Sequence, residues 1–430
     1  MDKMTPKEFL RQHDMLYEQQ TFEALTDAYI AEIRAGLRGE ESTLMMLPSF
    51  LHAGTAPRTG ESVLVLDAGG TNFRAGRIRF DGSGKPVVEA LEKRRMPGTG
   101  GVTVTADEMF RTMAELAMTV TGDAGRACIA FSFPCDILPD GDGRILHMDK
   151  EVRVSGAEGR LVCRGIEDAM VALGAPGHRR WRNINDTVGS MLGGMASCDR
   201  TKYADYIGFI LGTGTNACCC FPSAEVTKSP DTVALGGETI VNLESGCFGK
   251  MLRGTADMAI DNASELPGNH PAEKMISGAY YRKLLRETLL LAAGEGLLSP
   301  ESAERLRALN ITSAMVDEFC REPTGGNAIA GALASEDERR FASGINTLLL
   351  ERSARIAAAC LCAILRLRGL SPDKCTAVCA DGTMLRLNPV LLPRMKALIA
   401  DYAAQHGVSG AEFLFAGDAT LLGCAWAALT

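Results

Sequence analysis

Two apolar runs in this chain of 430 residues each end at a turn rich in glycine, threonine and asparagine. The first run and turn cover Leu64–Asn72 and the second cover Ile207–Asn216. Each run is long enough for a buried strand, and the glycines allow a tight turn whose backbone N–H groups can approach a phosphate. A single turn of this kind is also typical of a simple hairpin. The repeated pattern predicts a nucleotide held between two related halves.

Length and charge restrict the class of protein. A chain of 430 residues exceeds what one hydrophobic core usually supports, so two domains are expected. The 45 Lys and Arg against 53 Asp and Glu give a net charge of −8, and no long basic cluster is present. The charge pattern therefore argues against nucleic acid as a partner.

Two further patterns bear on location. The chain starts with a charged helical pattern rather than a secretory signal, which predicts a cytoplasmic protein. The most apolar helical stretch, Ala357–Leu367, is short and flanked by arginines, which predicts a buried helix and no membrane span. The 14 cysteines should be reduced, and Cys218–Cys220 should alternate between the two faces of a strand, which argues against a metal site there.

The order of the predicted elements indicates a mixed sheet in each half of the chain. Strands are predicted at 62–66, 74–80, 87–95, 127–131, 181–184, 206–211, 217–221, 238–243, 376–379 and 412–415. Helices are predicted at 106–120, 166–173, 273–293, 302–309, 337–368, 390–405 and 421–428, with the region up to about 50 as a helical packing arm. Thr105 and Glu108 have the spacing of a capping box before the helix at 106–120.

Two aspartates stand where phosphoryl transfer needs carboxylates. Asp67 begins the first turn and Asp186 follows a predicted strand. One could help to hold hydrated magnesium and the other could orient a nucleophilic hydroxyl. Asp186 could equally be a helix N-cap, and Arg74 could bind a phosphate or decorate an edge strand. The chain has neither a P-loop motif nor a dinucleotide-binding glycine motif followed by a suitably placed acid.

Polar residues at the ends of other predicted strands suit a ligand with many hydroxyl groups. They are Ser132, Asn185 and the segment Asn242–Gly246. Each could also be an ordinary turn residue that satisfies its own hydrogen bonds.

Taken together, the ordered segments resemble the eukaryotic-type hexokinases and glucokinases over most of the chain. The resemblance is carried by segments 46–50, 66–74, 131–134, 185–189, 212–218, 242–249, 264–268, 273–278 and 381–383. It implies an α/β, two-domain actin-like hexokinase fold with duplicated ribonuclease H-like mixed sheets and helices on both faces. The small domain would comprise 62–187 with the C-terminal helix at about 418–430, and the large domain 1–61 and 188–417.

The resemblance also implies roles for individual residues. Asp186 would be the catalytic base, and Asp67 and Asp186 would hold Mg²⁺ through water. The implied sugar contacts are Ser132, Lys150, Asn185, Asn216 and Glu244. The implied nucleotide contacts are Asp67, Gly69, Gly70, Thr71, Asn72, Arg74, Thr213, Gly214, Thr215, Gly382 and Thr420.

The chain departs from the family pattern at four positions. Asp149 replaces a sugar-binding threonine, Ser245 replaces a tryptophan, and the turn at 418–421 lacks the glycines of the family. Lys283 aligns with a sugar-binding glutamate and is therefore assigned to the substrate site, where it could pair with Asp149 or point to solvent.

The expected function is transfer of a phosphoryl group from ATP, with Mg²⁺, to the 6-hydroxyl of a hexose, glucose first among the candidates. Two alternatives remain open: a kinase for another hexose or an amino sugar, and a catalytically weak sugar-binding relative. No nucleic acid or membrane partner is expected. The sequence leaves the oligomeric state open.

Overall fold

Two mixed sheets with the same strand order form the frame of the molecule. The computed structural model describes residues 4–52, 54–148 and 152–430. In each half of the chain the first three strands are antiparallel neighbours, and the fourth and fifth continue in parallel from the other side of the first. The strands of the first sheet are Ser62–Ala68, Asn72–Phe80, Pro86–Arg95, Arg126–Phe131 and Arg180–Ile184. Those of the second are Asp205–Leu211, Thr215–Pro222, Glu238–Asn242, Thr376–Asp381 and Ala411–Leu414, with Leu47–Pro48 added at one edge. The predicted duplication of a mixed sheet is confirmed.

Helices cover both sheets. The α-helices are Pro6–Gln12, Phe22–Arg38, Ala106–Val120, Val162–Ala172, Asp186–Ala196, Pro230–Leu235, Thr255–Asn262, Pro271–Ile276, Gly278–Gly294, Pro300–Ala308, Ser313–Arg321, Ala328–Ala332, Glu336–Arg368, Thr383–Leu387, Leu391–His406 and Ala419–Leu429. Short 3₁₀ turns lie at Tyr17–Gln19, Arg200–Lys202, Ser223–Glu225 and Ser245–Cys247. Two small two-stranded ribbons pair Val104–Thr105 with Val154–Ser155 and Cys135–Ile137 with Gly143–Ile145.

Most predicted elements agree with the observed bounds to within a few residues. The capping box is present, because the Glu108 N–H donates to the Thr105 hydroxyl and the Thr105 N–H donates to the Glu108 carboxylate at 2.7 Å. The predicted single helix at 273–293 is wrong. Ser277 has an extended backbone (φ −80°, ψ 156°), which splits this region into two helices.

The apolar side chains form three buried clusters. One covers the outer face of the first sheet under helices Ala106–Val120 and Val162–Ala172, and another covers the outer face of the second sheet under the long helix Glu336–Arg368. The third lies between the sheets and contains helices Asp186–Ala196 and Ala419–Leu429. These separate cores fit the predicted division into two domains, whose boundaries stay a prediction.

The cysteine run and the most apolar helical stretch behave as predicted. Cys218 and Cys220 lie in the cluster between the sheets while Cys219 lies in the outer cluster of the second sheet, so the three do not share one face. Within the described ranges, no group of three or more His, Cys, Asp or Glu side chains could hold a metal ion. Ala357–Leu367 is largely buried within helix Glu336–Arg368. Among the described helices, none combines the length and the apolar character needed to cross a membrane.

The two central helices touch at glycines. A Cβ atom built on Gly423 would collide with the backbone carbonyl of Gly189, and one on Gly193 would collide with that of Ala419. Helices Asp186–Ala196 and Ala419–Leu429 can therefore approach closely only because these positions lack side chains.

We expect the substitution Gly423→Ala to lower the free energy of unfolding by about 1–3 kcal/mol, the usual cost of overpacking a buried contact. Gly331→Ala is the matched control, because helix Ala328–Ala332 leaves open space around that glycine. The control should be neutral or stabilising by up to about 1 kcal/mol. Urea denaturation followed by circular dichroism measures both, and equal effects would contradict the close crossing.

Candidate functional site

A cavity of about 320 Å³ collects most of the predicted site residues at the ends of strands from both sheets. The predicted residues that line it are Asp67, Gly69, Gly70, Thr71, Arg74, Ser132, Asn185, Asp186, Thr213, Gly214, Thr215, Asn216, Glu244, Gly382 and Thr420. They come from segments more than 350 residues apart in sequence, as the separation of Asp67 and Thr420 shows. The fold therefore brings both glycine-threonine turns and the predicted sugar residues to one place.

The first turn follows strand Ser62–Ala68 and is closed by a hydrogen bond from the Gly69 N–H to the carbonyl of Asn72 at 3.0 Å. Asn72 itself is exposed and is not among the residues that line the cavity. Arg74 donates to Asp67 at 2.6 and 2.9 Å, and also to Asp418 at 2.7 Å. This guanidinium thus ties the first turn to the start of the C-terminal helix, and it is neutralised by two carboxylates.

The second turn packs against a strand end from later in the chain. The Gly212 N–H donates to the Gly214 carbonyl at 2.9 Å, and the Thr215 hydroxyl donates to the Ile210 carbonyl at 3.0 Å. Gly382 has φ +117°, a conformation that only glycine adopts readily, and lies directly against Gly212. A side chain at Gly382 would clash with the backbone at Gly212.

A chain of amides joins the sugar candidates. Asn185 is the N-cap of helix Asp186–Ala196, and its side-chain oxygen accepts the Thr187 N–H at 2.9 Å. The Asn216 amide donates to Asn185 at 3.3 Å and to Asn242 at 2.7 Å, and the Asn242 amide donates to Glu244 at 2.7 Å. Glu244 has φ +54°, so the backbone is strained where it presents this carboxylate. The network fixes the orientation of each group that faces the cavity.

Three aspartates, Asp67, Asp186 and Asp381, line this cavity together with Glu244 and Glu273. Burial raises the pKa of Asp67 above its ordinary value; Arg74 opposes this rise, and the negative charges of Asp186 and Asp381 add to it. Asp381 accepts the Gly382 N–H at 2.7 Å, whereas the hydrogen bond given to Asp186 by the Thr187 hydroxyl is long, at 3.4 Å. Asp186 therefore has free acceptor positions for a hydrogen bond from a ligand hydroxyl.

The raised pKa of Asp67 gives a testable pH dependence of stability. A carboxyl group whose pKa is higher in the folded state than in the unfolded state makes its full contribution to the free energy of unfolding at pH values below the unfolded-state pKa. That contribution is lost as pH rises through the folded-state pKa. Asparagine mimics the neutral acid, so we expect Asp67→Asn to raise the free energy of unfolding at pH 7. The gain should shrink as pH falls through the folded-state pKa of Asp67.

Urea denaturation of the wild type and of Asp67→Asn between pH 8 and pH 5 measures this difference. A variant that is less stable than the wild type at pH 7 would mean that the ion pair with Arg74 outweighs the burial of the carboxylate.

Lys283 does not line the candidate cavity, and its assignment to the sugar site stays a prediction. Lys283 lines a larger neighbouring cavity of about 770 Å³, with its ammonium 5.1 Å from the centre of the Tyr280 ring. Glu273 lines both cavities, and its carboxylate accepts the Thr215 N–H at 3.0 Å. It is therefore a further acidic candidate for the sugar site.

Sequence reasoning also missed other residues of the cavity, namely His270, Asp381 and Thr383. His270 precedes helix Pro271–Ile276 and has φ +51°. Hydrophobic periodicity does not reveal a single residue with this backbone conformation. Asp381 and Thr383 lie in segment 381–383, which resembles the family. That resemblance could have identified them as site residues. Lys150 and Asp149 lie outside the described residues, and the suggested pairing of Asp149 with Lys283 is untested.

A small apolar pocket of about 230 Å³ adjoins the cavity at Thr383. It is lined by Tyr281, Val316, Met384 and Leu387, and Asp317 at its wall accepts a hydrogen bond from Asn388 at 2.9 Å. A flat ring system that enters this pocket would have its substituents near the second glycine-threonine turn.

Comparison with known proteins agrees with this geometry. The model of a family described as hexokinase matches residues 206–430, more than half of the chain, and a second hexokinase model matches residues 7–196. The chain is 28% identical to human hexokinase-3 over 384 residues, which is 85% of this chain but only 40% of that protein. It is 27% identical to hexokinase-1 of Schizosaccharomyces pombe, covering 93% of this chain and 86% of that protein. Hexokinase from Schistosoma mansoni, solved with glucose, has the same fold with a TM-score of 0.77, at 22% identity and with 98% and 100% of the two chains covered.

Proposed function

Because this chain belongs to the hexokinase family, we propose that it transfers the γ-phosphoryl group of ATP to the 6-hydroxyl of a hexose. The observation that carries the proposal is the single cavity in which both glycine-threonine turns face Asp186 and the amide network. Glucose is the first candidate, because the Schistosoma mansoni relative was solved with that sugar. We further propose that the chain acts in the cytoplasm.

In the proposed reaction Asp186 accepts the proton of the 6-hydroxyl as its oxygen attacks the γ-phosphorus. The bond from that phosphorus to the bridging oxygen breaks, and ADP leaves. Ser132, Asn185 and Glu244 would fix the sugar, since amide and carboxylate groups at strand ends pair well with hydroxyl groups. The N–H groups of the two turns would bind the phosphates, and the apolar pocket beside Thr383 suits the base.

The residues present fit a magnesium nucleotide. Asp67 and Asp186 supply carboxylate oxygens that would hold Mg²⁺ through its coordinated water. The bound ion would neutralise charge on the phosphate oxygens. Arg74 would contribute mainly by positioning Asp67, because that carboxylate accepts two of its hydrogen bonds.

A panel of sugars tests the proposal in an assay that couples ADP release to a colour change. Glucose, mannose, fructose, glucosamine and N-acetylated amino sugars would be compared at saturating magnesium ATP. We expect one or more hexoses to stimulate ADP release well above the rate with water alone. A preference for an amino sugar would support the second candidate, and no stimulation by any sugar would support a sugar-binding relative without turnover.

A further inference from the structure

A second cleft of about 760 Å³ shares no lining residue with the cavity described above. Its walls come from helix Val162–Ala172, the edge strand Arg180–Ile184 and the end of helix Ala419–Leu429. The volume lies within the range of roughly 300–1,000 Å³ that is typical of small-molecule sites. The cleft is therefore large enough for a ligand of its own.

The cleft is unusually rich in arginine for a chain with a net charge of −8. Its six arginines are Arg58, Arg126, Arg164, Arg179, Arg180 and Arg182, and its four acids are Asp140, Asp142, Glu167 and Asp168. Among the described residues, the side chains of Arg58, Arg164, Arg180 and Arg182 have no ion pair or hydrogen bond. These positive charges are available to an anion.

Two of the four acids in the cleft already accept hydrogen bonds from neighbouring groups. Asp142 accepts the backbone N–H groups of Gly143, Cys163 and Arg164 at 2.7–3.0 Å. Glu167 accepts the indole N–H of Trp181 at 2.8 Å and pairs with Arg179 at 3.4 Å. Because these carboxylates already have donors, they compete little for the remaining arginines.

The floor of the cleft has features of a built site. The Arg179 side chain is only 4% exposed, and its Nε has no hydrogen-bond partner in the described part of the chain. The preceding residue, His178, has φ +105°, which costs free energy in an L-residue. The guanidinium is held by Glu167 and by the Pro176 carbonyl at 3.1 Å, so it fixes a positive charge behind the exposed arginines of the cleft.

We propose that this cleft binds a small phosphorylated anion at a site separate from the kinase centre. Guanidinium groups match phosphate oxygens by paired, charge-assisted hydrogen bonds. Trp181 adds an aromatic wall beside them. A concave cleft suits a small phosphate ester, whereas an extended acidic peptide would need an open surface.

The position of the cleft couples it to the candidate site. Strand Arg180–Ile184 lines the cleft at its start and leads directly into Asn185 and Asp186. Helix Ala419–Leu429 reaches the cleft at Ala428 and lines the other cavity at Thr420. A ligand that shifts either element would change nucleotide or sugar affinity, and by linkage those ligands would change the affinity of the cleft. Only this coupling rests on the proposed function.

Tryptophan fluorescence offers a direct binding test, because the chain has two tryptophans and Trp181 lines the cleft. The full chain would be titrated with inorganic phosphate and with pyrophosphate in the presence of saturating ADP, which occupies the kinase centre. We expect a saturable change for wild type. Arg164→Glu combined with Arg180→Glu should weaken binding by about tenfold or more, since a hydrogen bond to a charged group contributes about 1.5–3 kcal/mol.

Arg34→Glu combined with Arg307→Glu is the matched control, because both arginines are exposed, lie outside the cleft and give the same change in net charge. It should bind as wild type does. Trp181→Phe should lose the optical signal while calorimetry still detects binding. Equal weakening in both double variants would overturn the separate site. An ADP affinity that is unchanged by saturating pyrophosphate would overturn the coupling alone. None of these readouts needs turnover, so they stay informative if the kinase proposal fails.

Discussion

Replacing Asp186 with asparagine should lower kcat for hexose phosphorylation by about a thousandfold, within the range of 10²–10⁴ that a positioned general base contributes. The KM for the sugar should change only a few-fold, because asparagine keeps the shape of the side chain and one of its two acceptor oxygens. Steady-state kinetics with the preferred hexose measures both, and calorimetry with the sugar alone checks binding.

Three aspartates share the cavity, so the experiment must separate their roles. Asp381→Asn is the matched variant, since it makes the same chemical change in the same cavity. One oxygen of Asp381 already accepts the Gly382 N–H, so this variant should lose less kcat. If Asp186→Asn retained more than about a tenth of kcat, or if Asp381→Asn did equal damage, Asp186 would not be the base.

The parts of the site that could be predicted from sequence are those with local signals. An apolar run followed by glycine and threonine predicts a strand and a tight turn, whatever lies elsewhere in the chain. Sequence reasoning offered Asp186 as a possible N-cap, and the structure places the N-cap one residue earlier, at Asn185. The same reasoning recovered the alternation of Cys218–Cys220 between two cores.

The parts that escaped prediction depend on contacts between distant segments. Arg74 and Asp418 are 344 residues apart, and nothing in either segment indicates that they pair. Two of the other cavities, the small apolar pocket and the cleft rich in arginine, are likewise lined by residues from several helices and strands. Hydrophobic periodicity locates helices and strands, but it carries no information on which strand ends meet.

The second large prediction concerns which residue governs sugar affinity, Glu273 before the helix break at Ser277 or Lys283 after it. Glu273→Gln should raise the KM for the hexose by about 10–100-fold, because the sugar would lose a hydrogen bond to a charged acceptor. Glutamine keeps the size of the side chain. The contact with the Thr215 N–H can persist through the amide oxygen, so the second turn should stay in place.

Lys283→Met is the matched variant, because it removes the ammonium while keeping a long side chain against Tyr280. Its KM for the hexose should stay within about twofold of wild type, as expected for a side chain that does not touch the sugar. A KM for ATP measured in the same series shows whether Lys283 acts on the nucleotide through the neighbouring cavity. If Lys283→Met raised the hexose KM as much as Glu273→Gln, Lys283 would belong to the sugar site, as its alignment with the family glutamate implies.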